Sequence, residues 1–595
     1  MFSNLLTFGL STVGSYNPQL MRELQGKLRW RNLLFTSLLS FAVQGFLLLR
    51  PLTDLPFRGF SRDFQGPYCL ELAKGEACAR DSFGQYLVDW PLVWADVFRS
   101  LSYVLVWALV VVGVYLLAAD LNKEARRSTL NFLRMSPLSG SRLLFGKLVG
   151  VPILLYLGLA LMLPTHVLAG LSSGCSWLRL VGFYGLLGAI AFCFYSAAMW
   201  FSLLANGLYG LQTWLISAVS GGLLLLSIVD EHYDFATDWF HLLNPISLMA
   251  YVDVQSLGWQ TPKLFDLGRH ILSFDQFGWF FLWLGGHGIG FWCFAMANAG
   301  LLGWWFWQAL LRKFQSPTLT SLSKVQSYGL TLHLAVLMMG FEFQRLPKRE
   351  SGVISAGYTG DDFFGYLITM GLWIVLLLFL LIPAKQSVLD WARYHYRLRG
   401  RSSQRGGRLS DGRRVRHDWR RWWNASYLKH EGGPYPLAIG VNLAIMTSVL
   451  LIGFAVKFWV VRSYDPAVSV RLYAFGCWLF GVALYLLCAF LLQFIALSNF
   501  HHWRWLAIGT VGTVLFGWPI VLLTLGVGHY NQSWSFIWMT TMFPAIETLN
   551  GFEMLTSFVF HMSVLVGLHW GLKRRIQFLG QSEWKALMSP SALVS

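Results

Sequence analysis

The chain has 595 residues, of which 55% are hydrophobic and only 13% are charged. A soluble globular protein carries about a quarter charged residues, so the composition excludes that class and predicts an all-α, polytopic integral membrane protein. The net charge of +17 could indicate nucleic-acid binding, but the basic residues cluster in loops between apolar runs. This is the positive-inside pattern, so we expect anionic membrane lipids, and no nucleic acid, as the partners of this charge.

The first half of the chain predicts six membrane spans behind an amphipathic stretch. That stretch runs from Asn17 to Asn32 and carries Arg22, Glu23, Lys27 and Arg29. Runs long enough to cross the hydrocarbon are Leu33–Leu49, Ser100–Ala119, Leu148–Leu171, Leu178–Ala205, Tyr209–Val229 and Gly278–Leu311. The loop from Asp230 to Gln276 is acidic, with apolar patches that we expect to be interfacial or re-entrant. With the N-terminus in the cytoplasm, every basic loop of this half lies inside.

The second half repeats this plan weakly. Leu330–Phe343 is short for a span, but without a crossing there the basic loop Lys385–Lys429 would lie outside. Further spans are predicted at Phe363–Pro383, Leu437–Val460, Leu472–Leu497, Trp503–Val527 and Met554–Leu572. We therefore predict about twelve spans in two pseudo-repeated six-helix halves, residues 1–328 and 329–595, with both termini cytoplasmic.

The seven cysteines are too few for a disulfide framework, and no Cys/His spacing indicates a metal site. Cys69 and Cys78 share one polar loop and could form a disulfide if that loop faces an oxidising compartment. The other five lie in or beside apolar runs, as small buried hydrophobes do.

The segment from Asp120 to Gly150 is basic and amphipathic, and it connects the second and third predicted spans. Ser136-Pro137 predicts a break, because proline lacks a backbone donor and restricts the residue before it. We therefore expect helix, break and helix at a membrane face, with exposed side chains. Considered alone, the segment is either a basic loop that fixes topology or a docking surface for a partner.

The order Glu124, Ser128-Thr129-Leu130, Leu133, Ser136-Pro137-Leu138-Ser139 and Gly146-Lys147-Leu148 resembles a loop of type-2 ABC exporter permeases. That loop follows their second span and often shows an E…GTLE-LL-TPLS…GK pattern, of which Ser128 and Asn131 here replace the glycine and second glutamate. In that family it is a coupling helix that docks on a separate ATPase subunit. The resemblance implies that two copies of the ATPase subunit bind the protein. The residues that it implies for docking are Glu124, Arg126, Thr129, Leu133, Ser136, Pro137 and Lys147. Asn17 to Asn32 likewise resembles the family's amphipathic elbow helix.

A different loop stands at the matching place in the second half. Arg393 to Arg421 holds eleven arginines with Gly and Ser and little apolar periodicity. Such a run is typical of a solvated segment lying against anionic lipid. A degenerate docking loop for a second ATPase subunit is the alternative.

Catalytic and ion-coupling motifs are missing from the sequence. Gly140 to Lys147 has five residues between its glycines and no hydroxyl after the lysine, so it does not match the phosphate loop G-x-x-x-x-G-K-[ST]. We expect no enzyme activity and no cofactor in this chain, with ATP and Mg²⁺ on the partner. His287, His333, His561 and Glu342 are intramembrane groups, but they form no recognisable relay. His287, in GGHGIG, is a candidate for packing first and for a transport pathway second.

The sequence thus predicts a permease subunit of an ATP-driven exporter, in a bacterial inner membrane, that moves an amphiphilic substrate such as a lipid, glycan or drug. Scarcity of charge in the spans favours an amphiphile over an ion. The alternative is a permease-derived scaffold subunit that no longer transports. A membrane-embedded transferase is third and would require a carboxylate-lined cavity.

Overall fold

A computed structural model describes the chain over most of its apolar length. The described residues are 14–55, 68, 79–205 (without 80 and 84), 210–229, 239, 242–245, 278–284 (without 281), 288–342, 349–350, 353–354, 362–394, 428–460, 468–526 (without 499 and 501), 535–541 and 551–580. Within them the protein is all-α apart from two short hairpins. One compact unit ends at Ser316 and the other begins at Pro317.

Nine helices of the described residues are long and apolar enough to cross a membrane, which makes the protein a multi-pass membrane protein. They coincide with nine of the twelve predicted spans. The other three predicted spans are also helical. Leu211–Val229 is a shorter apolar helix, Lys324–Phe341 has 18 residues but is less apolar, and Asp362–Leu380 is bent by 74° from the helix that follows it.

Unit 1 comprises the described part of the chain up to Ser316. Its helices are α1 Pro18–Lys27, α2 Trp30–Thr53, α3 Trp90–Arg126, α4 Thr129–Arg134, α5 Gly140–Gly150, α6 Ile153–Ser172, α7 Trp177–Leu204, α8 Leu211–Val229 and α9 Gly288–Gln315. β1 Gly278–Trp279 and β2 Leu282–Trp283 pair antiparallel. The sixth predicted span is therefore corrected: its first residues form a hairpin, and the helix begins at Gly288.

Helix α3 is the centre of unit 1. Its buried residues Phe98, Leu101 and Leu105 belong to one apolar core with α6 and α7. It begins ten residues before the predicted Ser100, because Asp89 caps its first turn and Asp96 pairs with Arg99 one turn on. A π turn at Ala108–Val112 leaves the Leu109 carbonyl to accept a hydrogen bond from the Tyr195 hydroxyl, 2.6 Å away.

Unit 2 holds the remaining elements, from Pro317 onward. They are α10 Lys324–Phe341, β3 Arg349–Glu350, β4 Val353–Ile354, α11 Asp362–Leu380, α12 Lys385–Tyr394, α13 Pro436–Val460, α14 Val468–Ala496, α15 Trp503–Thr524, α16 Ser535–Trp538 and α17 Gly551–Leu579. A buried hydrogen-bond network joins α10, α11 and α13. Thr331 donates to Asn442 over 2.6 Å and accepts from the Trp373 indole over 2.9 Å. Because each of these buried polar groups has a partner, the network fixes the register of the three helices.

Candidate functional site at the polar end of unit 1

The segment between α3 and α6 folds into short helices with two breaks. Helix α3 ends at Arg126, and Ser128 has a left-handed backbone with a φ of 59° before α4 begins. The second break covers Ser136-Pro137, as predicted, and the Ser139 side chain then accepts from the Arg142 amide and caps α5. The expected helix, break and helix is present, with one additional turn at Ser128.

The outer face of this segment carries exposed apolar side chains among basic ones. Phe132 is 72% exposed and Met135 78% exposed, although both lie beyond the end of the spanning helix α3. Arg126, Arg127 and Arg142 are exposed as well. We call residues Ser128–Ser139 the apolar turn. Large apolar groups surrounded by cations outside a membrane span are typical of a protein-interaction surface.

Beneath the apolar turn lies a network of ions centred on a buried lysine. The Lys147 side chain is only 2% exposed, and its Nζ lies 2.6 Å from Asp120 and 2.9 Å from Glu124. The carboxylate of Glu23, on α1, is 3.7 Å from the same Nζ. Helix α1 adds Arg22, which donates to Glu124 over 2.9 Å, and Lys27, which lies 3.2 Å from Glu23. Three cations thus face three carboxylates, so the network is balanced.

Two pKa shifts describe how strongly the network favours its charged forms. Burial by itself would raise the pKa of the Glu23 carboxyl, but Lys147, Lys27 and Arg22 outweigh it and lower that pKa below its ordinary value. Burial likewise opposes the charge of Lys147, yet Asp120 and Glu124 raise its pKa above the ordinary lysine value. Both groups are therefore charged at neutral pH.

Helix α1 lies directly on α5 because two glycines of α5 leave room for it. A Cβ at Gly146 would be 2.8 Å from the Asn17 side chain, and one at Gly150 would be 2.7 Å from the Glu23 Cβ. Asn17 donates to the Arg142 carbonyl over 2.7 Å, and Lys27 donates to the Val151 carbonyl over 2.8 Å. Small residues four positions apart permit this kind of close helix approach.

The apolar turn is also attached to the end of α9. The Arg134 guanidinium donates through Nε to the Phe314 carbonyl over 2.5 Å and lies 5.6 Å from the centre of the Phe314 ring. A second nitrogen of Arg134 donates to Asn131 within the turn. The turn is therefore fixed to α3, α5 and α9 at once.

The three carboxylates could hold a metal ion by their spacing, since Glu23, Asp120 and Glu124 each offer an oxygen within 4.8 Å of the others. The Lys147 ammonium already lies among these oxygens and neutralises them. The donor set therefore fits an internal salt bridge better than a cation site.

The structure places the predicted coupling residues in two groups. Glu124 and Lys147 differ from the expectation of exposed side chains: both are buried in the chain's own network, because α1 brings them partners. Leu133 is buried too, and Ser136 is half-buried. Arg126, Thr129 and Pro137 are exposed, and the Thr129 hydroxyl donates to the Glu124 carbonyl. Of the predicted elbow residues, Arg22, Glu23 and Lys27 join the network, while Arg29 is exposed at the start of α2.

Other predicted positions have no part in this site. Cys69, Cys78 and His287 lie outside the described residues, so the disulfide and the pathway role stay predictions. His561 shares a hydrogen bond with the Ser557 carbonyl of its own helix, and His333 is half-buried in α10. Glu342 is buried at the end of α10.

Sequence reasoning missed a buried histidine, His166 of α6. The Ser102 hydroxyl donates to the Phe98 carbonyl, so its oxygen accepts from His166 Nε2, 2.7 Å away. Nδ1 shares a hydrogen bond with the Tyr184 hydroxyl over 2.5 Å, so both ring nitrogens have partners. The histidine within the predicted third span was the available signal.

A buried ion pair at the start of α3 was missed as well. Asp96 accepts from Arg99 over 3.1 Å and from the Tyr68 hydroxyl over 2.7 Å. Both charges were assigned to a loop because the span was predicted to begin at Ser100. Their spacing of three residues before an apolar run was the available signal.

Comparison with known proteins adds no assignment: no protein-family model, curated protein or solved structure matches the chain. The site must therefore be interpreted from its own chemistry.

Proposed function

We propose that the chain is the membrane-spanning permease subunit of an ATP-driven exporter of the type-2 ABC class. A separate subunit, in two copies, would bind ATP and Mg²⁺ and hydrolyse ATP. The observation that carries the proposal is the apolar turn, with Phe132 and Met135 exposed, held on an ion network around the buried Lys147. A surface that transmits force from a partner must be both exposed and rigidly attached, and this one is both.

The network argues against a loop that serves topology alone. Such a loop needs only net positive charge on the correct side of the membrane. It needs neither a buried lysine among three carboxylates nor a bond between Arg22 and Glu124, residues 102 positions apart. Under the proposal, α1 is the elbow helix at the membrane surface and the network couples it to the apolar turn. Glu124 and Lys147 then act by holding the turn, while Phe132, Met135 and Arg126 contact the ATPase.

The finer features of the proposal follow from the same class. The chain would have about twelve spans in two halves, with both termini in the cytoplasm of a bacterium and the protein in its inner membrane. The substrate would be an amphiphile, such as a lipid, glycan or drug. Both ring nitrogens of His166 are hydrogen-bonded inside the core of unit 1, which agrees with a structural role for this histidine.

The test is an exchange of the exposed apolar side chains for polar ones. We expect the protein purified from its native membrane to carry a P-loop ATPase subunit and to hydrolyse Mg-ATP. Phe132→Ser with Met135→Ser should weaken the ATPase association at least about tenfold, because central apolar anchors are commonly worth more than 1 kcal/mol. Folding should be unaffected, since both side chains are exposed.

Phe83→Ser is the matched control, because Phe83 is 82% exposed and precedes α3 rather than following it. The control should keep the ATPase. Wild-type protein that carries no ATPase, or a double variant that keeps it at full strength, would contradict the proposal. The scaffold alternative predicts the same ATPase contact or none, but no substrate movement in reconstituted vesicles.

A further inference from the structure

The π turn at Ala108–Val112 interrupts the hydrogen-bond ladder of α3. In an α-helix the Gly113 amide would donate to the Leu109 carbonyl, four residues back. Here it donates to the Ala108 carbonyl, five residues back, which leaves the Leu109 carbonyl outside the ladder. The run Ala-Leu-Val-Val-Val contains no proline that would force such a break. Its cause must therefore lie in the helices packed around it.

Two neighbouring helices hold the π turn through hydroxyl groups. Tyr195 of α7 is buried and donates to the Leu109 carbonyl over 2.6 Å, and Ser217 of α8 donates to the Val111 carbonyl over 3.0 Å. Gly113 leaves room for the tyrosine, because a Cβ at Gly113 would overlap the Tyr195 hydroxyl. The π turn is thus matched to side chains of α7 and α8.

The Tyr195 hydroxyl has a second hydrogen-bonding neighbour, the Tyr156 hydroxyl of α6. Tyr156 itself donates to the Leu148 carbonyl over 3.1 Å, and Leu148 directly follows Lys147 of the ion network. Two hydroxyl protons therefore serve three contacts. Tyr195 can release the Leu109 carbonyl and donate to Tyr156 instead, so its release costs less than the loss of a buried hydrogen bond with no substitute.

The two halves of α3 on either side of the π turn are held by different neighbours. The first half, Trp90–Trp107, packs chiefly on α2 and α6, whereas the second half, Gly113–Arg126, packs chiefly on α7 and α8. The second half also carries Asp120 and Glu124, which bond the buried Lys147. Because both halves are firmly packed, bending of α3 is concentrated at the π turn.

We propose that the π turn is a hinge of α3 and that the hydrogen bond from Tyr195 to Leu109 holds it closed. Opening the hinge lets the second half of α3 move, together with the apolar turn, relative to the first half. Tyr195 is a positioning residue, and Tyr156 accepts its proton when the hinge opens. The hinge belongs to unit 1 alone, so it stands or fails separately from the proposed docking of an ATPase.

The test is hydrogen exchange of α3 amides in the purified full-length protein. In the wild type, amides of the π turn should exchange at least about tenfold faster than those of either half of α3. Deletion of Val112, which is 45% exposed, removes the extra residue and restores a continuous α-helix, so the difference should disappear. Uniform exchange along wild-type α3, or an unchanged pattern in the deletion variant, would overturn the hinge.

Three hydroxyl deletions separate a hinge from loosened packing. Tyr195→Phe should speed exchange at the π turn about tenfold, because the Leu109 carbonyl loses its donor. Tyr156→Phe should slow exchange there, because Tyr195 then has no second acceptor. The matched control is Ser202→Ala, which removes an α7 hydroxyl that donates to the Ala118 carbonyl in the second half of α3 over 3.4 Å.

The control should leave exchange at the π turn unchanged. Equal acceleration by Tyr195→Phe and Ser202→Ala would mean that any lost contact between α7 and α3 loosens the helix, and this would contradict the role of Tyr195. Acceleration by Tyr156→Phe would contradict the exchange of hydrogen-bond partners between the two tyrosines. The opposite signs expected for the two tyrosine variants are the result that only a hinge held by Tyr195 predicts.

Discussion

Lys147 is the residue on which the polar end of unit 1 depends. Its ammonium group contacts carboxylates from two helices while its side chain is 2% exposed. Removing one partner of a buried ion pair leaves charge uncompensated, at a cost of about 3–5 kcal/mol. We therefore expect Lys147→Met to lower the unfolding temperature of the detergent-purified protein clearly.

The matched control for that change is Lys123→Met, since Lys123 is exposed on α3. It should leave the unfolding temperature unchanged. Adding Asp120→Asn to Lys147→Met should recover part of the loss, because Asp120 is paired with Lys147 and its carboxylate is then removed, whereas Glu124 keeps Arg22. If Lys147→Met unfolds at the wild-type temperature, the network contributes nothing to stability.

The same two pKa shifts predict how stability depends on pH. The pKa of Glu23 lies below its ordinary 4.5, so its contribution is present above about that pH and is lost as pH falls through the folded-state value. The pKa of Lys147 lies above its ordinary 10.5, so its contribution is present below that pH and is lost as pH rises through the folded-state value. Stability from the network should therefore be flat between these limits.

Difference curves isolate these contributions from other titrating groups. The wild-type unfolding temperature minus that of Glu23→Gln should be constant near neutral pH and should shrink on the acid side. The corresponding difference for Lys147→Met should shrink on the alkaline side. A Glu23 difference that grows as the solution becomes acidic would reverse the sign assigned here.

At the scale of elements, the contact of α1 with α5 depends on the two glycines of α5. A Cβ at Gly150 would meet the Glu23 Cβ at 2.7 Å, and both atoms are attached directly to helix backbones. Gly150→Ala should therefore push α1 away and weaken the Lys147–Glu23 contact. We expect a lower unfolding temperature and faster hydrogen exchange of α1 amides.

Gly26→Ala in α1 is the control, because a Cβ there meets nothing within 4 Å. It should be neutral or stabilising by up to about 1 kcal/mol, since alanine favours a helix over glycine. Equal effects of the two alanines on α1 exchange would show that the glycine contact does not hold this helix.

The elements themselves were largely predictable, because spans are long apolar runs and Ser136-Pro137 marks a break. The ion network was not, since its pairs join residues such as Arg22 and Glu124 that lie 102 positions apart. A local sequence pattern shows that Glu124 is charged but not which residues contact it. The expectation that this side chain is exposed was therefore wrong. Helix α12 was missed for a related reason: its apolar face is short, and its burial depends on α14 and α17, which are distant in sequence.

At the scale of the whole molecule, the two units present different surfaces at their basic ends. Unit 1 offers a rigidly held apolar turn, whereas unit 2 offers the short helix α12, which exposes Arg393 and Tyr394. The first surface suits a protein partner. An exporter built this way would receive the force of ATP hydrolysis through unit 1 at the apolar turn.

Photo-crosslinking from the apolar turn tests that central claim most directly. A photoreactive amino acid at Met135, in the native membrane, should crosslink to a P-loop ATPase subunit identified by mass spectrometry. The same group at Phe83 should not. A Met135 probe that captures only lipid, or no ATPase at all, would contradict the assignment of the apolar turn as the surface that docks the ATPase.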